Sequence, residues 1–358
     1  MRLSHIRLHD FRNVKSAELD MEGNRLFFWG ANAQGKTNLL EATGLISALR
    51  SFRTTEIHPL IRQGQSMASV RAGIAWKDSG ETLIDIRINR TGRKVLVDEA
   101  PMERFSDFIG RYPTVTISSA DIQLLRGAPS LRRRFFDMVL SFGQSDYLQA
   151  LRSYHKGLQE RNALLKKGAS DAELEAFDYI LAPFAASIVQ MRVESIKLLQ
   201  VDFKGFYECI ANSENETPSL LYKPSTIHES PEGFAASLQK NRDRDKAAGF
   251  TQNGPHRDDF FFLLNEQKAP DFASEGQQRA IVLSLRFAQF AYFKAQSGTT
   301  PVILADDILG ELDPARRQRF WEACDPLAQI LATGTSLPED SHGWKVHQVN
   351  EGTFSLMD

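Results

Sequence analysis

The chain has 358 residues and only two cysteines, Cys209 and Cys324. They show neither CxxC spacing nor a neighbouring histidine pair, which excludes a zinc ribbon. Two isolated thiols fit a reducing compartment better than a disulfide scaffold. No run of 18 apolar residues occurs, so no transmembrane helix is expected. Residues 1–7 lack the apolar core of a signal peptide, and the expected location is the cytoplasm. Neither charge is in excess: 43 Lys and Arg stand against 45 Asp and Glu, for a net charge of −2. Global charge therefore gives no argument for a nucleic-acid partner, and any such site has to be a local basic patch. No internal repeat is present. What remains is an ordinary globular composition, 42% hydrophobic and 25% charged, in a chain long enough for two or three domains and a large core.

Leu3, Ile6, Leu8 and Phe11 are spaced as in a half-buried strand. Leu26-Phe27-Phe28-Trp29 reads as a buried strand ending at Gly30, with a helix over residues 38–49 next. Residues 67–98 alternate as strands, with turns at Asp78-Ser79-Gly80 and Thr91-Gly92. The character changes near residue 120. Over residues 129–210 glycines are few and apolar residues recur at three- and four-residue steps. Gly168-Ala169-Ser170-Asp171 breaks that run and caps a second arm, which predicts an antiparallel helical hairpin. Residues 212–247 read as polar and irregular. Beyond Phe250, a helix is expected over 277–294 and a buried strand over 301–305, running into Asp306-Asp307. The expected architecture is an α/β lobe, 1–120 and 248–358, interrupted by a helical insertion over 121–247.

The chemistry begins at Gly30-Ala31-Asn32-Ala33-Gln34-Gly35-Lys36-Thr37, which matches G-x-x-x-x-G-K-[ST] between a strand and a helix. Its glycines let backbone N–H groups wrap a phosphate chain, Lys36 reaches the β- and γ-phosphates, and Thr37 can ligate Mg²⁺. A magnesium site also needs a carboxylate at a strand end; Asp306 supplies it, and the adjoining Asp307 can polarise an attacking water. The loop and the carboxylate lie 270 residues apart, and an inserted region accounts for that gap. Ala273-Ser274-Glu275-Gly276-Gln277-Gln278 opens a helix shortly before Asp306. By itself this reads more readily as a simple helix cap than as an anion site. In the order loop, serine motif, carboxylate, it matches the signature of ABC-type ATPases, and Glu311-Leu312-Asp313 resembles their D-loop.

Further stretches make the match specific. They are Asp10-Phe11-Arg12-Asn13, then Asn38-Leu39-Leu40-Glu41-Ala42 directly after the loop, and Ser51-Phe52-Arg53-Thr54. Gly127-Ala128-Pro129-Ser130-Leu131-Arg132-Arg133-Arg134-Phe135-Phe136-Asp137, Gln159-Glu160-Arg161-Asn162-Ala163-Leu164-Leu165-Lys166 and Gly254-Pro255-His256-Arg257-Asp258-Asp259 complete the set. Together they resemble the RecF family of bacterial recombination and repair proteins, compact relatives of SMC-type ATPase heads, over essentially the whole chain. The resemblance implies a two-lobed, P-loop, ABC-type ATPase head of the α/β class, with a helical hairpin lobe inserted. It implies ATP and Mg²⁺ as cofactors, and ATP sandwiched in a homodimer with each Lys36 facing the other copy's Ser274. Nucleotide contacts are implied for Arg12, Asn13, Gly30, Ala31, Asn32, Ala33, Gln34, Gly35, Lys36, Thr37, Asn38, Ser274, Gly276, Gln277 and Asp313. Metal contacts are implied for Thr37 and Asp306, and catalysis for Lys36, Asp306 and Asp307. The implied activity is a weak, DNA-stimulated ATPase in the nucleoid-associated cytoplasm. Its partners would be duplex, gapped or junction DNA and RecR- and RecO-like mediators, helping to load recombinase.

There are departures from the family pattern. Ser118-Ser119-Ala120-Asp121 has alanine where glutamate is expected. Glu275 replaces a usual glutamine, adding negative charge that calls for a basic neighbour such as Arg279. The switch histidine of ABC ATPases is absent, and Thr333-Gly334-Thr335 occupies that stretch. For DNA, residues 126–167 carry nine basic against three acidic residues, a local charge of +6 that can neutralise phosphates without reading sequence. The candidate contacts are Arg132, Arg133, Arg134, Arg152, Lys156 and Arg161, set against a solvated helical face or arginines paired with carboxylates. His256-Arg257-Asp258-Asp259 reads equally as a structural ion-pair corner. The rival function is a nucleotide-gated recruitment module with negligible turnover.

Overall fold

The computed structural model describes residues 1–77, 80–213, 215–226, 230–338 and 343–357; the Asp78-Ser79 turn falls outside the described residues. In chain order come β1 (Arg2–Phe11), β2 (Val14–Asp20), β3 (Arg25–Trp29), α1 (Lys36–Ala48), β4 (Met67–Trp76), β5 (Gly80–Asn89), β6 (Gly92–Val97), β7 (Ala100–Pro101) and β8 (Thr114–Ser118). Then follow α2 (Gln123–Arg126), α3 (Pro129–Ser141), α4 (Ser145–Lys167), α5 (Asp171–Ala211), β9 (Pro218–Lys223), α6 (Pro231–Lys240), α7 (Arg242–Ala248), β10 (Asp259–Leu264), β11 (Gln267–Lys268) and α8 (Ala269–Phe272). The chain ends with α9 (Glu275–Ser297), β12 (Val302–Asp306), α10 (Pro314–Ala323), β13 (Ile330–Gly334), β14 (Lys345–Asn350) and β15 (Thr353–Leu356). It divides into two compact units, one of Met1–Asp121, Cys209–Asn212 and Leu283–Asp358, the other of Ile122–Glu208 and Ser213–Val282.

The first unit holds two six-stranded sheets. One is antiparallel, in the order β2-β1-β4-β5-β6-β7. Its alternation follows the strand period: Val70, Ala72 and Ile74 on β4 and Ile84, Ile86 and Ile88 on β5 are buried, while Arg71 and Arg87 stand on the other face. The second sheet runs β15-β14-β3-β13-β12-β8, parallel from β14 to β8 with β15 antiparallel at the edge. Leu26, Phe27 and Phe28 on β3 are all buried, as in a parallel sheet covered on both faces. Helix α1 packs against strands of both sheets and buries Leu39, Leu40, Ala42, Leu45 and Ile46. Truncating the fully buried Phe28 to alanine removes about 3–5 kcal/mol. Buried Gln329 ties the start of β13 to β1: Leu3 N donates to its Oε1 at 2.7 Å, and its Nε2 donates to Leu3 O at 2.9 Å and Met21 O at 2.8 Å.

The second unit is built on α3, α4 and α5 and a three-stranded sheet in the order β11-β10-β9. Gly168, at φ +72°, ends α4, and a reciprocal cap starts α5: Ser170 N donates to Glu173 Oε2 at 2.8 Å and Glu173 N to Ser170 Oγ at 3.4 Å. At Gly157 a Cβ would lie 3.0 Å from Leu181, so glycine sets the close approach of α4 to α5. Two expectations differ from the structure. Residues 212–247 are not irregular but contain β9, α6 and α7. Residues 248–282 fall in the second unit, because β10 pairs with β9 (Phe260 opposite Tyr222, Phe262 opposite Leu220) and buries Phe260 and Phe262 there. Among the described residues no helix is long and apolar enough to cross a membrane.

Candidate functional site

The phosphate loop joins β3 to α1 at the C-terminal end of a parallel strand, between neighbours β14 and β13. Gly35 stands at φ +112°, where a Cβ would come within 3.0 Å of Asn13 Oδ1. A Cβ at Gly30 would collide with the Val349 carbonyl oxygen. The β14–β15 turn straps the loop from outside: Gly352 N donates to Gln34 O at 2.8 Å and Glu351 N to Gln34 Oε1 at 2.7 Å. Lys36 is 5% exposed and donates Nζ to Gly30 O at 2.5 Å and Ala31 O at 2.8 Å. Burial pushes its pKa down, and the nearby Asp307 and Asp306 push it back up. The loop thus combines a cation with the N-terminal end of α1, a cradle for a phosphate chain.

Thr37 Oγ1 donates to Asp306 Oδ1 at 2.8 Å, so residues 269 positions apart meet. Burial pushes the Asp306 carboxyl up, although two hydroxyls beside it pull it down. Among the described residues no cluster of three or more His, Cys, Asp or Glu side chains could hold a metal alone. Magnesium needs none: it takes one or two carboxylates and completes its shell with phosphate oxygens and water. The hard oxygens of Thr37 and Asp306 fit that role. Asp307 follows at φ +52°, in the left-handed region.

Two groups here stand in stretches already quoted but had no role assigned from sequence. Glu41 is fully buried in α1 and receives Arg12 through both oxygens, Nε to Oε2 at 2.8 Å and Nη2 to Oε1 at 2.6 Å. Ser51 Oγ also bonds Glu41, and Arg53 Nη1 reaches Glu41 Oε2 at 3.3 Å and Asn38 Oδ1 at 2.8 Å. Asn38 Nδ2 donates to Asn13 Oδ1 at 2.7 Å. The signal for Glu41 was a carboxylate one helical turn after Thr37 and Asn38, in a stretch otherwise rich in buried apolar residues. The second group is Thr333, whose Oγ1 donates to Asp306 Oδ1 at 2.9 Å and accepts from Asp307 N at 2.9 Å.

Ser274 is exposed and caps α9: its N donates to Gln277 Oε1 at 2.7 Å, and Gln277 N donates to its Oγ at 3.3 Å. Gln277 Nε2 also donates to Glu216 Oε1 at 2.7 Å. Gly276 lies in the first turn of α9. Arg126 stands 3.8 Å from Glu275 and donates Nε to Gln278 Oε1 at 2.7 Å. Ser274 belongs to the second unit and Lys36 to the first. Asp313 caps α10, accepting from Arg316 N at 2.9 Å, and that bond pulls its carboxyl down. Asp121, in the departing loop, is buried and accepts Arg286 Nε at 3.0 Å and Nη2 at 2.5 Å.

The basic patch needs correction. Arg161 is 0% exposed and donates to Asp178 at 2.8 Å, Asp245 at 2.8 Å and Thr251 Oγ1 at 2.7 Å. Arg132 is buried and bidentate on Asp259, at 2.8 and 2.9 Å. Neither can reach a nucleic-acid phosphate: Arg161 neutralises buried carboxylates and Arg132 the half-buried Asp259. Arg133 is half-buried and donates to Asp258 O at 2.8 Å, whereas Arg134, Arg152 and Lys156 are exposed. The stretch from His256 to Asp259 is a structural corner. Asp258 is buried under Arg192 Nη1 at 2.8 Å and Tyr222 Oη. His256 Nδ1 lies 2.8 Å from Tyr154 Oη, and burial pushes that imidazole down to about 4, neutral at pH 7.

The family model of the RecF/RecN/SMC N-terminal domain matches residues 2–333. The chain is 36% identical over 379 residues to the DNA replication and repair protein RecF of Lactobacillus gasseri, covering 100% of each. It is 34% identical over 346 residues to its namesake in Chlamydia trachomatis, covering 95% of this chain and 93% of the relative. Among solved structures it is similar to the recombination mediator protein RecF with ATP in the RecFOR pathway, at TM-score 0.92 and 29% identity over 100% of this chain and 98% of that one. The Smc head bound to the C-terminal winged-helix domain of ScpA superposes at TM-score 0.57 and 15% identity over 100% and 98%, a likeness of fold alone. The fold is that of an α/β ABC-type ATPase head, and the chain belongs to the RecF family of DNA replication and repair proteins.

Proposed function

We propose that the chain is an ATP-dependent DNA-binding repair protein whose ATP-bound dimer clamps DNA and whose slow hydrolysis releases it. The observation that carries this reading is the pre-assembled loop. Lys36 Nζ already spans its interior on two carbonyls, and the Thr37 hydroxyl already meets the Asp306 carboxylate. Lys36 moves from those carbonyls to the β- and γ-phosphates of ATP, exchanging dipoles for full negative charge. Thr37 and Asp306 would hold Mg²⁺, which would supply a Lewis acid for the phosphoryl oxygens. Asp307 takes the proton of a water attacking the γ-phosphorus; the bond to the β–γ bridging oxygen breaks, giving ADP and phosphate. Arg12, committed to Glu41, holds the β1–β2 turn and Asn13 against the loop.

Ser274 supports the dimer. It is exposed at a helix N-terminus, with Gly276 in the first turn, as a second copy's γ-phosphate requires. Exposed Arg134, Arg152 and Lys156 remain as phosphate contacts for duplex, gapped or junction DNA. A solved relative that acts in the RecFOR pathway supports RecR- and RecO-like mediators as partners. ATP turnover with and without a short duplex tests the reading: Lys36→Met is expected to lower it at least tenfold and to abolish ATP-dependent DNA retention. Turnover unchanged by that substitution contradicts it.

A further inference from the structure

We infer that Thr333 is the positioning residue that fixes both carboxylates of the hydrolytic site, an inference that rests on the nucleotide-binding reading above. Asp306 Oδ1 accepts two hydroxyls, Thr37 at 2.8 Å and Thr333 at 2.9 Å. The first follows Lys36 at the end of the phosphate loop and would be the one to turn to Mg²⁺. The second sits on β13, 0% exposed, and stays with the strand. Its single proton goes to Asp306, so its lone pair is available to Asp307 N, which donates to it at 2.9 Å. That bond anchors the backbone of Asp307 at φ +52°, in the left-handed region that few residues other than glycine, asparagine and aspartate visit.

The strand that carries Thr333 also serves the loop. β13 pairs with β3, placing Thr333 opposite Phe28 and Gly334 opposite Trp29, and Gly30 N donates to Gly334 O at 3.3 Å. One hydroxyl therefore holds the Asp306 carboxylate and the backbone from which the Asp307 carboxylate projects, on a strand that pairs beside the phosphate loop. It does so without touching substrate.

Thr333→Val keeps the shape and removes the hydroxyl; Thr333→Ser keeps the hydroxyl. ATP binding is followed by equilibrium titration with a fluorescent ATP analogue, with and without Mg²⁺. Thr333→Val is expected to bind ATP without Mg²⁺ within about twofold of the unaltered protein. It should need about tenfold more Mg²⁺ for half-saturation, as removing a group that orients a metal ligand does. Its kcat should fall about tenfold or more with KM nearly unchanged, and Thr333→Ser should recover both within about threefold. Thr333→Val behaving as the unaltered protein in both readouts overturns the inference, and so does a serine variant as impaired as the valine one. An unaltered protein that binds no ATP overturns the nucleotide reading itself.

Discussion

Lys36 and Arg161 are both buried cations, and they differ in what they meet. Lys36 Nζ rests on two backbone carbonyls, Gly30 O and Ala31 O. Arg161 is fixed between the carboxylates of Asp178 and Asp245, and Arg242 also donates Nε to Asp178, at 2.9 Å. A carbonyl holds a cation through a dipole, which a phosphate oxygen displaces with a full charge. A buried carboxylate pair does not let go, because releasing the cation would strand two charges in a low dielectric. On the proposed function Lys36 is a charge held in reserve for a ligand, whereas Arg161 is charge used as structure. Counting basic residues along the chain treats the two alike.

Removing each cation separates these uses, with the largest effect in the second unit. Arg161→Ala leaves buried Asp245 without its arginine and Asp178 with Arg242 alone, and is expected to cost about 3–5 kcal/mol in urea unfolding. A loss below 1 kcal/mol would put the ion network outside the core. Lys36→Met is expected to lower ATP affinity about 10- to 100-fold by equilibrium titration, the worth of a charge-assisted contact, without comparable destabilisation.

Asp306→Asn tests the reserve from the acidic side. Burial holds the folded-state pKa of Asp306 above its ordinary carboxylate value. Between those two values the folded state binds more protons than the unfolded one, so stability falls as pH rises through that window, and above it the cost is full. The substitution is expected to raise the melting temperature at pH 7, by about 2–4 °C per kcal/mol relieved, while abolishing Mg²⁺-dependent ATP binding. The gain should fade as pH falls to the ordinary carboxylate range. The smallest effect is expected from Arg152→Ala, exposed on α4. Stability should stay within about 0.5 kcal/mol, and the slope of log affinity for duplex DNA against log salt should drop by about one.

The phosphate loop, the strand into Asp306 and the helical hairpin were legible because their signals are local. Eight consecutive residues define the loop, and three- and four-residue steps define α4 and α5. What escaped depends on distant partners. Arg161 meets Asp178 and Asp245, 17 and 84 residues away, and Thr333 meets Asp306 across 27. β9 is a short edge strand starting at Pro218, with its outer side chains exposed, and its partner β10 begins near residue 259. No local periodicity could reveal such a pairing. Glu41 stood in a stretch quoted for the family resemblance, but its partners Arg12 and Arg53 come from two other segments, so its role was not legible.

The central claim is that ATP gates a dimer in which each loop meets Ser274 of the other copy. Molar mass by light scattering tests it most directly, with ATP and Mg²⁺, with ADP, and without nucleotide, each with and without a short duplex. The account predicts a doubled mass only with ATP and Mg²⁺, DNA joining that species, and a monomeric Ser274→Arg variant that still binds ATP. A mass that never changes, with DNA bound regardless of nucleotide, would contradict it.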